Sequence, residues 1–375
     1  PWRFLTDLTA IGSRMAGSDG ERRAAGVVAD AFERAGLADV DTEPFDLDAW
    51  ERGGAELRIR VPDREGGTAD REFESIALPY SPAGEVSGEL VDVGYGTPAE
   101  IDERDVEGRI AVASTTTPEG RFVHRMEKFG YAIDAGAVGF VFVNHLDGQL
   151  PPTGSLTFGG EADAVAVGVS KETGAWLREY ATRGDGGAVE ADLAVEATTA
   201  PGESRNVSGR AGPDTDERLL LLAHYDGHDI AEGALDNGCG VATVATAARI
   251  LTEADLDVGV DVVAVGAEEV GLLGAEHLAE TVDLDRVRGV INVDGAGRHR
   301  DLVALAHASD AAASVAKSVS AATRQPIAVD AEPHPFSDQW PFVRRGVPAL
   351  QLHSDSGDRG RGWGHTHADT RDKVD

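Results

Sequence analysis

Leu219-Leu-Leu-Leu-Ala-His224-Tyr-Asp226-Gly, Ala234-Leu-Asp236-Asn-Gly, Val262-Val-Ala-Val-Gly-Ala-Glu268-Glu269 and Val290-Ile-Asn-Val-Asp294 are the pieces of sequence that decide the fold. Three are apolar runs that lead into acidic or histidine residues, and Asp236 stands in a turn between the first two. Short apolar runs bounded by glycine read as strands of a parallel sheet buried on both faces. In open α/β sheets, sites form beyond the carboxyl ends of such strands. Working outward, helices are predicted over Gly240–Leu251, Leu272–Glu280 and Ala311–Ala322. Strands are predicted over Val258–Val265, Gly289–Val293, Leu302–Ala306 and Ala349–His353. This alternation predicts an α/β fold, a mostly parallel mixed sheet flanked by helices on both faces.

Upstream, residues 1–40 read as helical. Ser18-Asp-Gly-Glu21 has the capping-box pattern, in which Ser and Glu satisfy free amides at a helix start. Ala24, Val27, Val28, Ala31, Phe32 and Ala35 then share one stripe, and Gly36 is placed to end the helix. The preceding Gly12–Ser18 reads as a loop. Residues 40–79 alternate apolar and polar, a strand signal. From about Ser81 the texture changes. Strands are predicted over Val106–Ala113, Gly139–Val143 and Ala164–Ser170, with helices over Glu127–Gly136 and Lys171–Tyr180. None of them ends in a cluster of chemical side chains. The expectation is a separate, smaller α/β module over 79–199, set inside a discontinuous main domain of 1–78 and 200–375.

Composition narrows the function. The 375 residues are 41% apolar, enough for a sizeable core, and carry a formal charge of −32. Of the 34 cationic residues only Lys128, Lys171, Lys317 and Lys373 are lysines. Such acidity argues against nucleic acid or an anionic membrane as partner. It suits a halophilic protein, because screening confines self-repulsion to about 3 Å in 1 M salt. Cys239 is the one cysteine, so no intramolecular disulfide forms. No apolar run reaches about 18 residues, the length a membrane-spanning helix needs. The chain opens on Pro1-Trp2, which reads as a trimmed start, and with no signal-like segment the cytoplasm is the expected location.

The site residues come from the strand ends. His224 and Asp226, two apart, point to one face of a strand, and a ligating imidazole commonly gives its second N–H to a carboxylate. Asp236 suits either a helix N-cap or a metal ligand. Glu268-Glu269 crowds two negative charges after a buried strand, which a divalent cation would relieve; one of the pair can bind metal while the other faces substrate. Asp294 ends the next strand, and Gly362-Trp-Gly-His365-Thr-His367-Ala-Asp369 brings a further histidine. The set is nitrogen and oxygen without thiolate, which zinc accepts, and paired metals about 3.5–4 Å apart serve hydrolases. His367 is the rival of His365, His353 a reserve ligand, and His228, His299 and His334 candidate cleft residues. Arg359-Gly-Arg361 reads as a solvated loop near enough to His365 to meet a substrate carboxylate.

These motifs, with Glu268-Glu269-Val-Gly-Leu-Leu-Gly274, His365-Thr-His-Ala-Asp369-Thr370 and Phe336-Ser-Asp338-Gln339-Trp-Pro, resemble metallopeptidase family 28, the co-catalytic zinc exopeptidases. The 79–199 module resembles the protease-associated domain inserted in several members. Where the family often has His after Ser-Asp, this chain has Gln339. The resemblance implies a zinc-dependent aminopeptidase with two Zn²⁺ per chain, Co²⁺ or Mn²⁺ being possible substitutes. It implies His224 and Asp294 on one ion, Glu269 and His365 on the other, and Asp236 bridging them. It further implies Glu268 as general base on a metal-bound hydroxide mechanism, Asp226 orienting His224, and a cis Asp236–Asn237 bond. Peptides are the implied substrate. A carboxypeptidase or dipeptidase of the same fold is the alternative. A single-zinc cyclase of N-terminal glutamine needs fewer ligands, and a receptor-like binding domain needs neither a base nor two metals.

Overall fold

Helices α1 (Trp2–Thr9) and α2 (Asp19–Ala35) open the chain in the computed structural model, which describes residues 1–62, 68–182, 189–354 and 362–375. Ser18 caps α2 by accepting the Glu21 N–H at 3.1 Å, and Gly36, at φ 83°, ends it in the left-handed region that favours glycine. The expected capping box is only half formed. Glu21 accepts from Gly17 N at 2.6 Å and sends its other oxygen into the interior, to Ser204 Oγ at 2.6 Å and Ala267 N at 3.1 Å. Strand β1 (Ala38–Pro62) follows. The chain divides into two units, 1–47 with 201–375, and 48–200. By packing the first division falls at 47/48, inside β1, whereas the sequence reading sets it at 78/79, just before the change of texture at about Ser81. An unbroken alternation of strand residues carries no signal of a change of unit.

In the 48–200 unit, β2 (Thr68–Phe73) pairs antiparallel with the end of β1. Next come β3 (Ile76–Ala77), β4 (Gly84–Asp92), α3 (Pro98–Asp102), β5 (Ile110–Ser114), α4 (Arg125–Asp134), β6 (Gly139–Val143), β7 (Val165–Val169), α5 (Lys171–Thr182) and the start of β8 (Glu190–Ala211). β4, β5, β6 and β7 run parallel side by side. β5, β6 and β7 are buried at every residue, which is why they read as unbroken apolar runs. Phe129, Phe140, Phe142 and Ile101 fill the core on one side.

The other unit resumes at the end of β8 and continues with β9 (Arg218–His224), α6 (Cys239–Glu253), β10 (Gly259–Val265), α7 (Leu273–Thr281), β11 (Val287–Val293), β12 (Leu302–Leu305), α8 (Asp310–Thr323), β13 (Ile327–Asp330), α9 (Trp340–Val343) and β14 (Ala349–Ser354). Its strands lie in the order β13-β12-β14-β11-β9-β10-β8. β10, β9, β11 and β14 are parallel neighbours; β12 and β8 run against β14 and β10. The period of two sorts the side chains. Leu219, Leu221, Ala223, Val262 and Ala264 pack with Val28 and Phe32 of α2 and with Val241 and Val244 of α6. Leu220, Leu222, Val263 and Val265 pack with Ala279 of α7 and Phe342 of α9. Helices thus cover both faces of a mostly parallel mixed sheet, as the sequence predicts. β9, between β11 and β10, ends at His224.

Candidate metal centre

His224, the last residue of β9, and Asp226, just beyond it, are fully buried. The Asp226 carboxylate lies 3.2 Å from His224 Nδ1 and accepts the backbone N–H groups of Glu268 at 3.1 Å and Glu269 at 3.2 Å. One side chain therefore orients the imidazole and fixes the turn after β10. With Nδ1 committed to a carboxylate, Nε2 is the nitrogen turned to the interior.

Asp236 stands in the irregular turn Ala234–Gly238, and its bond to Asn237 is cis, as the resemblance implies. The Asp369 carboxylate accepts Leu235 N at 2.6 Å and Asp236 N at 3.1 Å. Asn237 donates to Val293 O at 2.8 Å and accepts from Gly240 N at 3.1 Å and Gly295 N at 3.2 Å. A Cβ on Gly240 would stand 2.1 Å from Asn237 Oδ1, so only glycine lets α6 start this close to the turn. Asp294, just after β11, accepts Ser337 Oγ at 2.7 Å and Gln351 Nε2 at 3.2 Å on Oδ2. His365 enters from the C-terminal loop with a left-handed backbone, φ 59°.

The remaining donor atoms face one another. His224 Nε2 lies 3.2 Å from Asp236 Oδ1 and 3.7 Å from Asp294 Oδ1. His365 Nε2 lies 3.2 Å from Asp236 Oδ2 and 3.3 Å from Glu269 Oε2. Bonds of about 2.0–2.2 Å at tetrahedral angles would separate ligand atoms around zinc by about 3.3–3.6 Å, close to the distances found. Neither His224 Nε2 nor Glu269 Oε1 has a hydrogen-bond partner, although both are buried. Buried polar atoms left so are costly in a folded protein unless something else binds them. The donors fall into two groups, His224 with Glu268 and Asp294, and His228 with Glu269 and His365, each with its ligand atoms within 4.8 Å of one another.

The charges point the same way. Burial raises the Glu269 carboxyl to about 7, with His365 opposing and Asp236 adding to the rise. Burial also lifts Glu268 and Asp338 well above the usual carboxylate range. Asp338 is fully buried, and neither of its oxygens is hydrogen-bonded. Burial works against charge on His224, but Glu268, Asp226, Asp236 and Asp294 together outweigh it and hold the ring's pKa high. Carboxylates confined this way are relieved by divalent cations, whose charge reverses the sense of these shifts. The donor set and its spacing fit zinc.

The structure thus gathers His224, Asp226, Asp236, Glu268, Glu269, Asp294 and His365. His367 is exposed and contacts Ile230 O, and His299, His334 and His353 belong to neither donor group. Arg359-Gly-Arg361 lies outside the described residues. Two further contributors are His228, which the sequence offers only as a candidate cleft residue, and Arg14, which it does not offer at all. His228 follows Asp226 by two residues, yet the i, i+2 rule that paired His224 with Asp226 holds only inside a strand. Arg14, in the stretch read as a loop, is buried and donates to the carbonyls of Tyr225, Glu232 and Gly233 at 2.8, 2.7 and 2.9 Å. Burial lowers its pKa, while Asp226, Asp369, Glu269 and Asp236 oppose that. A cation surrounded by apolar and glycine residues in a short loop gives no periodic signal.

Residues 206–375 match the family model of peptidase family M28, and residues 86–177 match that of the PA domain. Aminopeptidase YwaD of Bacillus subtilis is 28% identical over 300 residues, 77% of this chain and 59% of its own length. The chain thus spans about three fifths of that curated relative. Over its full length the chain superposes on the solved peptidase M28 precursor of Shewanella amazonensis with a TM-score of 0.81 and 25% identity, covering 88% of that chain. A solved zinc aminopeptidase from Bacillus subtilis gives a TM-score of 0.75 at 25% identity, with 100% of this chain and 89% of that one covered.

Proposed function

From the match of residues 206–375 to peptidase family M28, we propose that the chain is a member of that family, an aminopeptidase that binds two zinc ions and removes N-terminal residues from peptides. The observation that carries the reading is Asp236: its two oxygens each lie 3.2 Å from the Nε2 of a different histidine, His224 and His365. A carboxylate so placed is built to serve two cations at once. In this reading Asp294 completes one half-site and Glu269 the other. Zinc bound there would polarise a peptide carbonyl and make water acidic enough to lose a proton near neutral pH.

The chain's own residues then have distinct tasks. Asp226 keeps His224 in the tautomer that offers Nε2 inward. Ser337 and Gln351 occupy one oxygen of Asp294 and so aim the other at the site. Glu268 is the general base: it takes the proton of the attacking water and delivers it to the departing amine. Glu268 is buried beside His224 and Asp294, so a proton it takes is kept within the site and can be returned there.

The test is hydrolysis of aminoacyl anilides with a free amine, beside N-acylated peptides with a free carboxyl terminus, with zinc measured by elemental analysis. Cleavage of the free-amine substrates alone, lost with chelator and restored at two zinc ions per chain, is the expected result. Cleavage of the N-acylated peptides instead would make it a carboxypeptidase. One zinc per chain, with cyclisation of N-terminal glutamine, would overturn the hydrolytic reading.

A further inference from the structure

We propose that His228 is a sixth metal-holding side chain, completing the half-site of Glu269 and His365 and making the two half-sites unequal. The inference rests on the two-zinc reading above but not on the identity of the substrate. His228 lies just past the end of β9, where a surface loop would be expected, yet it is only 6% exposed. Its position is built. Arg14 grips the Tyr225 carbonyl, and the Arg14 carbonyl accepts Gly227 N at 3.2 Å, so the chain on the N-terminal side of His228 is held.

His228 Nε2 lies 2.9 Å from Glu269 Oε2, the same oxygen that stands 3.3 Å from His365 Nε2. The two imidazoles meet edge to face with centroids 4.7 Å apart, and each brings its Nε2 to the same carboxylate oxygen. Nitrogen, oxygen and nitrogen thus lie within 4.8 Å of one another, and Asp236 Oδ2 is 3.2 Å from His365 Nε2. This is a two-nitrogen, two-oxygen set of the kind zinc takes in tetrahedral sites. The half-site of His224, Asp294 and Asp236 holds one imidazole, the other two. Imidazole is a good zinc ligand, so the His228 half-site should fill first and release its ion last.

Stepwise zinc removal by a competing chelator separates the possibilities. For the full chain we expect two ions of unequal affinity. In His228→Ala the tighter ion should weaken at least about tenfold, the range seen even for lost indirect partners of a ligand, while the weaker ion is little changed. His228→Gln keeps a hydrogen-bond donor for Glu269 but no good zinc ligand, and should behave like the alanine variant; His228→Cys restores a ligand and should recover the affinity. Full affinity in His228→Ala, or rescue by Gln, would overturn the assignment and leave His228 as a hydrogen-bond partner of Glu269. A second measurement needs no variant. In the dicobalt form of the unmodified chain, proton NMR should show three paramagnetically shifted imidazole N–H signals, and two would overturn the proposal. Failure of the unmodified chain to bind a pair of metals would overturn the two-zinc reading as well, whereas two bound ions with only two shifted imidazoles would reject His228 alone.

Discussion

Glu268 and Glu269 are neighbours in sequence and receive different surroundings in the turn after β10. Glu269 faces His365 and His228; Glu268 groups with His224 and Asp294. Glu268→Gln is expected to keep two zinc ions and to lose about 10²–10⁴-fold in kcat, the usual contribution of a general base. Loss of metal in that variant would show that Glu268 is a ligand. Asp236→Ala removes the carboxylate shared between the half-sites and leaves two cations facing each other with less neutralisation. Elemental analysis should then find no tightly held pair. His307 carries a pH effect away from the site. It is buried, and burial, with His334 adding, lowers its pKa to about 4. The unfolded chain binds the proton more readily, so stability falls as pH drops from about 6.5 toward 4, by at most about 3 kcal/mol at 1.36 kcal/mol per unit. Denaturation midpoints of His307→Gln should change less over that window than those of the parent chain.

Elements meet at the site through a few long-range polar contacts. Arg14, between α1 and α2, reaches across 211 positions to the carbonyl of Tyr225. Asp369 holds the turn of Asp236, and Arg371 grips Glu232 at 3.0 Å, so the C-terminal loop that brings His365 is tied to the same turn. Arg14→Met would leave three carbonyls without their donors and remove the buried cation that faces four carboxylates. Breaking a buried charge arrangement from one side costs about 3–5 kcal/mol. Urea denaturation of the metal-free protein should show a loss of that order, with Arg14→Lys intermediate, because an ammonium cannot span three acceptors in a plane. An unchanged midpoint would mean that these carbonyls find other donors.

For the whole molecule, charge and metal set the conditions of stability. With a net charge of −32, self-repulsion acts over about 10 Å at 0.1 M salt but about 3 Å at 1 M. The melting temperature is therefore expected to climb between 0.1 and 2 M sodium chloride; a flat or falling curve would refute adaptation to concentrated salt. Stripping the metal should lower the melting temperature, and adding zinc should raise it with concentration. A ligand bound only by the folded state adds about 4 kcal/mol at a thousand times its dissociation constant. Absence of any zinc-dependent shift in calorimetry would count against a resident metal.

The α/β class and most of the site could be read from the sequence, because both follow from local rules. Apolar runs with glycine borders make parallel strands, parallel strands align their carboxyl ends, and the acids and histidine placed there must therefore converge. His224, Glu268, Glu269 and Asp294 are of this kind. Asp236 and His365 lie in loops, where no periodicity points to them; residue chemistry made them candidates, and the resemblance of their motifs implied their roles. What the tertiary structure alone decided has no local signature. Glu21 looked like half of a capping box and became the acceptor that fixes the chain just before Glu268. Arg14 looked like loop and became the buried cation under Asp226 and Asp236. His228 acquired its partners only because Arg14 fixed the chain on its N-terminal side and the C-terminal loop brought His365 beside it. Each depends on contacts between segments far apart in the chain, and the geometry of such contacts is settled by packing, not by the residues next in line.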